Sequence, residues 1–157
     1  MADPEIKSPS EYAVLPAGTE VRYGQKGATI TTAALLQSAM GIGATGKKGT
    51  FLEVTRLIDK EPKYMADMGE GEDKTLVFID DPSDTVQEAL LSDADAKKTV
   101  VFFMKFPNKR ISEVELVLAG WSLQAVDTPK GKVLQVEVYG KQNSVKWSVE
   151  QPAGGGE

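Results

Sequence analysis

The sequence predicts a mainly β fold, an antiparallel β-sandwich or barrel with one short flanking α-helix and a long loop between two strands. Two observations support this prediction. Apolar and polar residues alternate along most of the chain, and turns rich in Pro, Gly and Asn join the alternating segments. The chain has 157 residues, a length that suits one domain with its own core. We therefore predict a single β domain over residues 19–150.

Seven segments have the alternation and the β-branched or aromatic content of strands. They cover residues 20–23, 51–58, 75–79, 99–106, 111–118, 133–139 and 144–149. Alternation places the apolar side chains of the last three segments on one face each. These side chains are Val114, Leu116 and Leu118, then Leu134, Val136 and Val138, then Val145, Trp147 and Val149.

Two segments are predicted as helices. Asp81 is a suitable cap for the first, with Pro82 as its first residue and an end near Ser92. Its apolar face would carry Val86, Ala89 and Leu90. The second would cover residues 32–40 and end at a glycine, Gly41.

The two ends of the chain have little pattern of this kind. Residues 1–18 are polar and contain three prolines, which predicts an extended arm. Residues 151–157 are rich in glycine and are predicted to be a disordered tail. The start has no signal-peptide pattern, and no apolar run approaches the roughly 20 residues of a membrane span. The sequence therefore predicts a soluble, intracellular protein.

The composition excludes several kinds of active site, because the chain contains no Cys and no His. A disulfide framework, a Cys-ligated zinc site and the Ser-His-Asp and Cys-His mechanisms are all ruled out. Most zinc and non-haem iron sites also need these residues. We expect no metal, no cofactor and no enzymatic activity.

Charge is distributed unevenly along the chain. The net charge is −5, yet residues 59–95 hold 12 Asp and Glu against 3 Lys. This part of the sequence predicts a strongly acidic surface. Such a surface argues against binding DNA through its phosphates, which requires a basic face.

One glycine motif resembles a nucleotide-binding loop. The segment from Gly41 to Gly46 matches G-x-G-x-x-G, and with Lys47 it nearly matches a P-loop. Both motifs need a strand before and a helix after the glycines. Here a strand is predicted to follow, and Lys48 stands where the P-loop needs Ser or Thr. We therefore predict a flexible loop.

Paired carboxylates and exposed indoles are also weak candidates for a site. Glu113 and Glu115 would lie about 6–7 Å apart on one strand face, a spacing compatible with glycoside hydrolysis. Solvated strand faces carry such pairs routinely, so we predict no catalysis there. Trp121 and Trp147 could stack on a ligand, but packing in the core or between subunits is the favoured interpretation.

The predicted loop at residues 59–74 is 16 residues long, much longer than the usual 2–5 of a hairpin. Its acidic cluster could form a weak divalent-cation site, but it lacks the spacing of an EF-hand loop. The loop also holds apolar residues, which gain little by staying in water. It is either a flexible insertion or an arm that becomes ordered against another subunit, with Tyr64, Met65 and Met68 as anchors.

From about residue 50 to residue 147 the sequence resembles the major tail tube proteins of long, non-contractile-tailed bacteriophages of the lambda type. The order of elements carries the resemblance: a strand, a long acidic loop, the strand at Leu76, the short helix at Thr85, then further strands. The turn at Pro107-Asn108 and the pair Gly120-Trp121 are the short sequence motifs that most resemble the family. We expect no appended immunoglobulin-like domain of the kind that some relatives carry.

This resemblance implies a structural virion protein and its partners. Six subunits would close into a ring, and rings would stack into a tail tube around a tape-measure protein, with tail-tip and terminator proteins at the ends. Assembly would take place in the host cytoplasm, and the genome would later pass through the lumen without specific binding. The long loop would be disordered in the free subunit and would become ordered against the next ring.

Two alternatives remain open from the sequence. A tube protein of a type VI secretion system has a similar fold and size. A monomeric β-sandwich binding module is the other, although it would not need a long loop with apolar residues.

The residues predicted for the interface between rings follow from the loop. They are Asp59, Lys60, Tyr64, Met65, Asp67, Met68, Glu70, Glu72 and Asp73. Lys47 and Lys48, together with Lys60, are the candidate basic partners of the acidic residues.

Overall fold

The structure is a computed structural model that describes residues 5–126, 129–130 and 132–150. In these residues the chain forms two helices and eleven strands, and its mainly β class is the one predicted. The elements are α1 (Pro9–Tyr12), β1 (Glu20–Gln25), β2 (Ala34–Leu35), β3 (Ala39–Gly41), β4 (Lys47–Lys48), β5 (Phe51–Glu53), β6 (Tyr64–Ala66), β7 (Glu70–Gly71), β8 (Asp73–Ile79), α2 (Thr85–Asp95), β9 (Thr99–Lys105), β10 (Arg110–Leu123) and β11 (Gln135–Val149).

Seven strands form one antiparallel sheet in the order β2-β1-β9-β10-β11-β8-β3. One short segment, residues 34–41, supplies the strands at both edges. The Leu36 N–H donates to the Val21 carbonyl of β1 at 2.8 Å, and the Ile79 N–H of β8 donates to the Ser38 carbonyl at 2.9 Å. Because this segment bonds to both ends of the sheet, the sheet curls into a half-barrel.

The prediction of a helix at residues 32–40 is therefore wrong, because this segment forms β2 and β3. Ala33 and Leu36 have helical spacing and are both buried, but they enter different clusters. Ala33 packs with Val101 and Phe103, whereas Leu36 joins the main core. An extended segment at the sheet margin can reach both clusters, and these tertiary contacts override the helix propensity of the sequence.

The main core lies on one face of the curled sheet, and alternation predicts much of it correctly. The predicted inward residues of β10, together with Val136 and Val138 of β11, are at most 1% exposed. Leu134, Trp147 and Val149 were also predicted to point inward, but they are about half exposed. Leu134 precedes β11, and the other two lie where β11 runs past the end of β8.

The last two strands form a long hairpin, with 14 residues in β10 and 15 in β11. The predicted strands 133–139 and 144–149 are thus parts of one strand. The pairing shifts register twice, and Gly120 lies at the second shift with a φ of 120°. A Cβ on Gly140 would come within 2.8 Å of the Leu116 side chain, so only glycine fits there. Positions 127, 128 and 131 of the connecting turn lie outside the described residues.

The helix α2 starts later than predicted. Its cap is Asp84, whose Oδ1 accepts a hydrogen bond from the Val86 N–H at 3.0 Å. Asp81 instead accepts from the Ser83 N–H and hydroxyl in the preceding turn. The helix ends at Asp95 and buries Gln87, Leu90, Leu91, Asp93 and Ala94. The prediction that Ala89 is buried was wrong, because it lies on the exposed face.

A buried glutamine fixes α2 to the sheet. The Gln87 side chain accepts from the Asp81 N–H at 2.9 Å and donates to the Ser38 hydroxyl and the Ile79 carbonyl, each at 2.8 Å. Gln87 is 0% exposed, and both its amide oxygen and its amide nitrogen have hydrogen-bond partners, as a buried polar side chain requires.

The segment before β1 is exposed and contains the single turn of α1. The segment predicted as an extended arm, residues 1–18, thus contains one helical turn. The first four residues of this segment lie outside the described part of the chain. The predicted tail at 151–157 lies outside it as well. In the described residues, neither helix has the length and apolar character to cross a bilayer.

Candidate assembly interface

Residues 47–71 leave the sheet as a separate antiparallel hairpin, which we call the arm. At its base β4 pairs with β7, and farther out β5 pairs with β6. The Asp67 N–H donates to the Thr50 carbonyl at 2.7 Å, and the Val54 N–H to the Lys63 carbonyl at 2.8 Å. The predicted strand 51–58 is therefore only three residues long and lies outside the main sheet. The predicted loop 59–74 contains the returning leg of the arm and the start of β8.

The tip of the arm is closed by an ion pair. The Asp59 carboxylate accepts from the Arg56 N–H at 2.8 Å and from its guanidinium at 2.9 Å. These bonds lower the pKa of Asp59 and raise that of Arg56. Asp59, predicted as an interface residue, therefore has a partner within the arm.

Both faces of the arm carry exposed apolar side chains. Phe51 and Tyr64 lie on one face, 81% and 61% exposed, while Leu52 and Met65 lie on the other, each about half exposed. Opposite residues of an antiparallel pair share a face, and neighbours along a strand alternate. Met68, near the base, is 87% exposed. The three predicted anchors thus all lie on the arm, and the described residues leave them exposed.

A buried lysine fixes the loop next to the arm. Lys74 is 1% exposed, and its ammonium donates to the Thr45 hydroxyl at 2.7 Å and to the Ala44 and Gly43 carbonyls at 3.0 and 3.4 Å. Burial lowers its pKa to about 8. Lys74 was not predicted as a site residue, because the strand was predicted to begin at Thr75. Lys74 continues the inward pattern of Leu76 and Phe78.

The glycine motif contributes to the same anchor. The Gly46 N–H donates to the Gln142 side chain at 3.0 Å, and the Gln142 amide donates to the Glu72 carbonyl at 3.1 Å. A Cβ on Gly71 would come within 1.8 Å of the Gln142 carbonyl. The motif presents carbonyls to an ammonium, the reverse of a phosphate-binding loop. Its predicted role as a flexible loop is replaced by that of a hydrogen-bonded anchor.

The predicted acidic residues are dispersed along the base of the arm. Glu70 accepts from Lys141 at 2.9 Å, and Asp73 lies 3.8 Å from the same ammonium. The hydrogen bond with Lys141 lowers the pKa of Glu70. Asp67 accepts from the Met68 N–H, and the Glu72 side chain is exposed. Across the part of the chain that is described, no three acidic residues gather to hold a metal ion.

The candidate basic partners lie on the arm itself. Lys47 is opposite Gly71, and Lys48 is opposite Glu70 in the ribbon at the base. Lys60 is exposed just after the tip. Their predicted role as partners of acidic groups in another copy stays a prediction.

An apolar groove that the sequence pattern did not reveal lies at the end of the sheet where β11 runs past β8. The groove has a volume of about 810 Å³. Its walls come from the segment before β1, the residues around β3, the β9–β10 turn and β11. The main apolar lining residues are Val14, Leu15, Met40, Ile42, Phe106 and Trp147. The alternation that placed Trp147 inward was a usable signal, since this side chain faces the groove.

The long hairpin leaves two strand edges without partners in the described structure. β9 pairs with β10 only along residues 111–117, and β8 pairs with β11 only along residues 135–141. Residues 119–123 of β10 and 143–149 of β11 therefore have strand partners only within the hairpin, and their outer edges, which lie on opposite sides of it, are open. Exposed edges of this kind are templates for pairing with another chain.

Residues 14–150 match the model of the phage tail tube protein family. The chain belongs to this family. Tail tube proteins are structural components of the virion tail and not enzymes. This confirms the prediction of a structural virion protein and the prediction that the chain is not an enzyme. No curated protein sequence matches the chain.

Solved structures of tubes and tails share the fold. An extracellular contractile injection system, solved as a sheath/tube terminator in the extended state, matches with a TM-score of 0.70 at 11% identity, over 88% of this chain and 99% of the other. The tail of an empty gene transfer agent particle, computed with C6 symmetry, gives a TM-score of 0.65 at 10% identity, over 88% and 100%. The SPP1 tail tube gives 0.60 at 12% identity, over 84% and 77%. At such identities the likeness concerns the fold.

Proposed function

We propose that six copies of this chain close into a ring, and that rings stack into the tube of a long non-contractile tail. The tube would form around a tape-measure protein, end at tail-tip and terminator proteins, and conduct the genome at infection. The arm is the observation that carries this proposal. It is a formed hairpin whose outer strands β5 and β6 are exposed along their whole length, while only its base contacts the sheet.

The energetics of the arm support a contact with another subunit. A two-stranded hairpin is marginally stable alone in water, and burying apolar surface yields roughly 25 cal/mol per Å². We propose that Tyr64, Met65 and Met68 become buried when rings stack. The exposed acidic groups of the arm base, Asp67 and Glu72 among them, would then meet basic groups of the next ring.

The unpaired edges support closure within a ring. Pairing of residues 119–123 in one copy with residues 143–149 in the next would satisfy the open backbone groups of both. The number six agrees with the C6 symmetry of the similar gene transfer agent tail. A net charge of −5 suits a conduit that must not retain a polyanion.

Electron microscopy of the concentrated, incubated protein tests the proposal. We expect hollow tubes of stacked sixfold rings, or extension of preformed tail-tip complexes if the free subunit waits for an initiator. Tube length that follows a tape-measure protein would separate a phage tail from a secretion tube. A chain that stays monomeric and also fails to extend tail-tip complexes would end the proposal in favour of a binding module.

A double variant tests the role of the arm. Tyr64→Ala with Met68→Ala should leave the unfolding transition intact, because both side chains are exposed, but should impair tube formation. The matched control is Val126→Ala with Val133→Ala, which also truncates two exposed apolar side chains, away from the arm. Normal tubes from the arm variant would contradict the proposed contact.

A further inference from the structure

The groove described above has one charged residue in its lining. Arg110 lies on the same strand face as Ser112, and Ser112 pairs with Trp147 across the hairpin. The Arg110 side chain is therefore on the face that lines the groove. Its guanidinium has no hydrogen-bond or ion-pair partner in the described parts of the chain. The groove is thus an apolar recess with one unpaired cation at its rim.

The two faces of the arm differ in charge. One face carries Phe51, Glu53, Tyr64 and Ala66, and we call it the acidic face. The other carries Leu52, Val54, Lys63 and Met65, and we call it the basic face. The Glu53 carboxylate accepts only from the nearby Thr55 hydroxyl, at 2.7 Å, and forms no ion pair with any described residue.

We propose that the groove of one copy receives the acidic face of the arm of another copy. This rests on the proposed function, because the partner is a second subunit of the tube. The groove offers exposed Leu15, Met40 and Trp147, and the acidic face offers Phe51 and Tyr64. Neither apolar surface is covered by the described residues of its own chain, and one contact would cover both.

Charge complementarity selects the face. With the acidic face inward, Glu53 approaches Arg110 while aromatic side chains enter the recess. With the basic face inward, Lys63 would approach Arg110, and two like charges would be brought together as water is excluded. Such juxtapositions are strongly unfavourable at interfaces. The basic face, which carries Met65, is therefore left for contact with a third copy.

Cross-linking in assembled tubes tests this contact. The chain has no Cys, so each introduced thiol is unique. Tyr64→Cys subunits are co-assembled with tagged Met40→Cys subunits and treated with a short bis-maleimide. We expect a heterodimer of distinct mass on a denaturing gel, which can arise only between copies. The matched control replaces Tyr64→Cys with Met65→Cys, the next residue along β6 on the basic face, and should yield little heterodimer.

The outcomes separate this inference from the function on which it rests. If the wild-type chain neither assembles nor extends tail tips, the proposed function fails. If tubes form and neither pair cross-links, or the Met65→Cys pair cross-links instead, the function stands and the inference is overturned. Cross-linking of Met40→Cys to an added tape-measure or tail-tip protein, but not to Tyr64→Cys, would also overturn it.

Charge reversal provides an independent readout. Glu53→Arg and Arg110→Glu should each raise the protein concentration needed for tube growth by about tenfold. The double variant should restore growth to near the wild-type concentration, because the pair is reformed with opposite signs. Two single effects that simply add in the double variant would contradict the pairing. Urea unfolding of each variant checks that the fold is retained.

Discussion

The curled sheet and the arm have the same sequence pattern but opposite environments. Phe102 of β9 and Phe51 of β5 are both strand residues with apolar neighbours, yet the first is 0% exposed and the second 81%. Val136 of β11 and Leu52 of β5 differ in the same way, with 0% and 51% of their surface exposed. Period-two alternation therefore identifies a strand and its faces, but it does not tell whether the chain itself or another copy covers the apolar face.

The largest expected effect separates these two phenylalanines. Phe102→Ala should lower the free energy of unfolding by about 3–5 kcal/mol, because it leaves a cavity in the core. Phe51→Ala should change it by no more than about 0.5 kcal/mol, as for other exposed positions. Urea unfolding followed by tryptophan fluorescence measures both. A large loss of stability in Phe51→Ala would show that the arm is part of the folding unit.

The buried lysine sharpens the comparison, because it belongs to β8 but holds the loop that enters the arm. Lys74→Met should speed hydrogen exchange of the Gly46 and Asp67 amides by about tenfold. This corresponds to a decrease of roughly 1.4 kcal/mol in the free energy of local opening. Exchange in β9 should not change. Lys141→Met, which removes an exposed ammonium at the same base, is the control. Equal exchange in both variants would mean that the buried anchor does not order the arm.

A helix cap should affect the sheet unit and leave the arm unchanged. Asp84→Ala should cost about 1 kcal/mol of unfolding free energy, through loss of the hydrogen bond to the Val86 N–H. Asp84→Asn should retain most of the stability, since asparagine caps as well as aspartate. Urea midpoints measure the loss, and exchange in the arm should match the wild type. An equal loss in both variants would argue against a capping role.

The smallest expected effect is a pH dependence. The folded protein gives up the Lys74 proton near pH 8, whereas an ordinary lysine holds it to about 10.5. Between these values the unfolded chain binds more protons, so stability rises with pH. Burial and a hydrogen bond to Asp93 raise the pKa of Tyr23 above its ordinary 10, which lowers stability above that pH. The gain is thus confined to about pH 8–10.

Urea midpoints at pH 7, 8, 9 and 10 check this dependence. The wild-type midpoint should rise relative to that of Lys74→Met over the window. Midpoints that stay parallel from pH 7 to 10 would show that the Lys74 ammonium is not destabilised by burial.

Much of the sheet was predictable from local pattern, because half-buried strands impose period two on the sequence. Val114, Leu116 and Leu118 illustrate this, as does the helix near Leu90. The helix predicted at residues 32–40 failed because Ala33 and Leu36 are buried in two clusters that only the assembled sheet creates. The cap of α2 was misplaced because Asp81 and Asp84 are both chemically suitable caps. Only the turn at Ser83, which engages Asp81, decides between them.

The candidate site was predicted in part. The position of the loop and of its exposed apolar side chains followed from composition, since Tyr64 and Met68 stand out among acidic residues. The hairpin within it did not, because strands of two or three residues carry too little pattern to detect. The groove combines segments more than 100 positions apart in the sequence, such as Leu15 and Trp147. Such a site becomes visible only when the chain is folded.

The unequal lengths of neighbouring strands have a consequence for symmetry. The open edges of β10 and β11 are different segments on opposite sides of one hairpin, so a contact between them is head-to-tail and not self-complementary. A head-to-tail contact does not stop at two copies, and it closes only when the rotation per copy divides a full turn. The subunit number would then be set by the twist and curl of the hairpin, so substitutions at Gly120 or Gly140 could change the ring size without touching the interface.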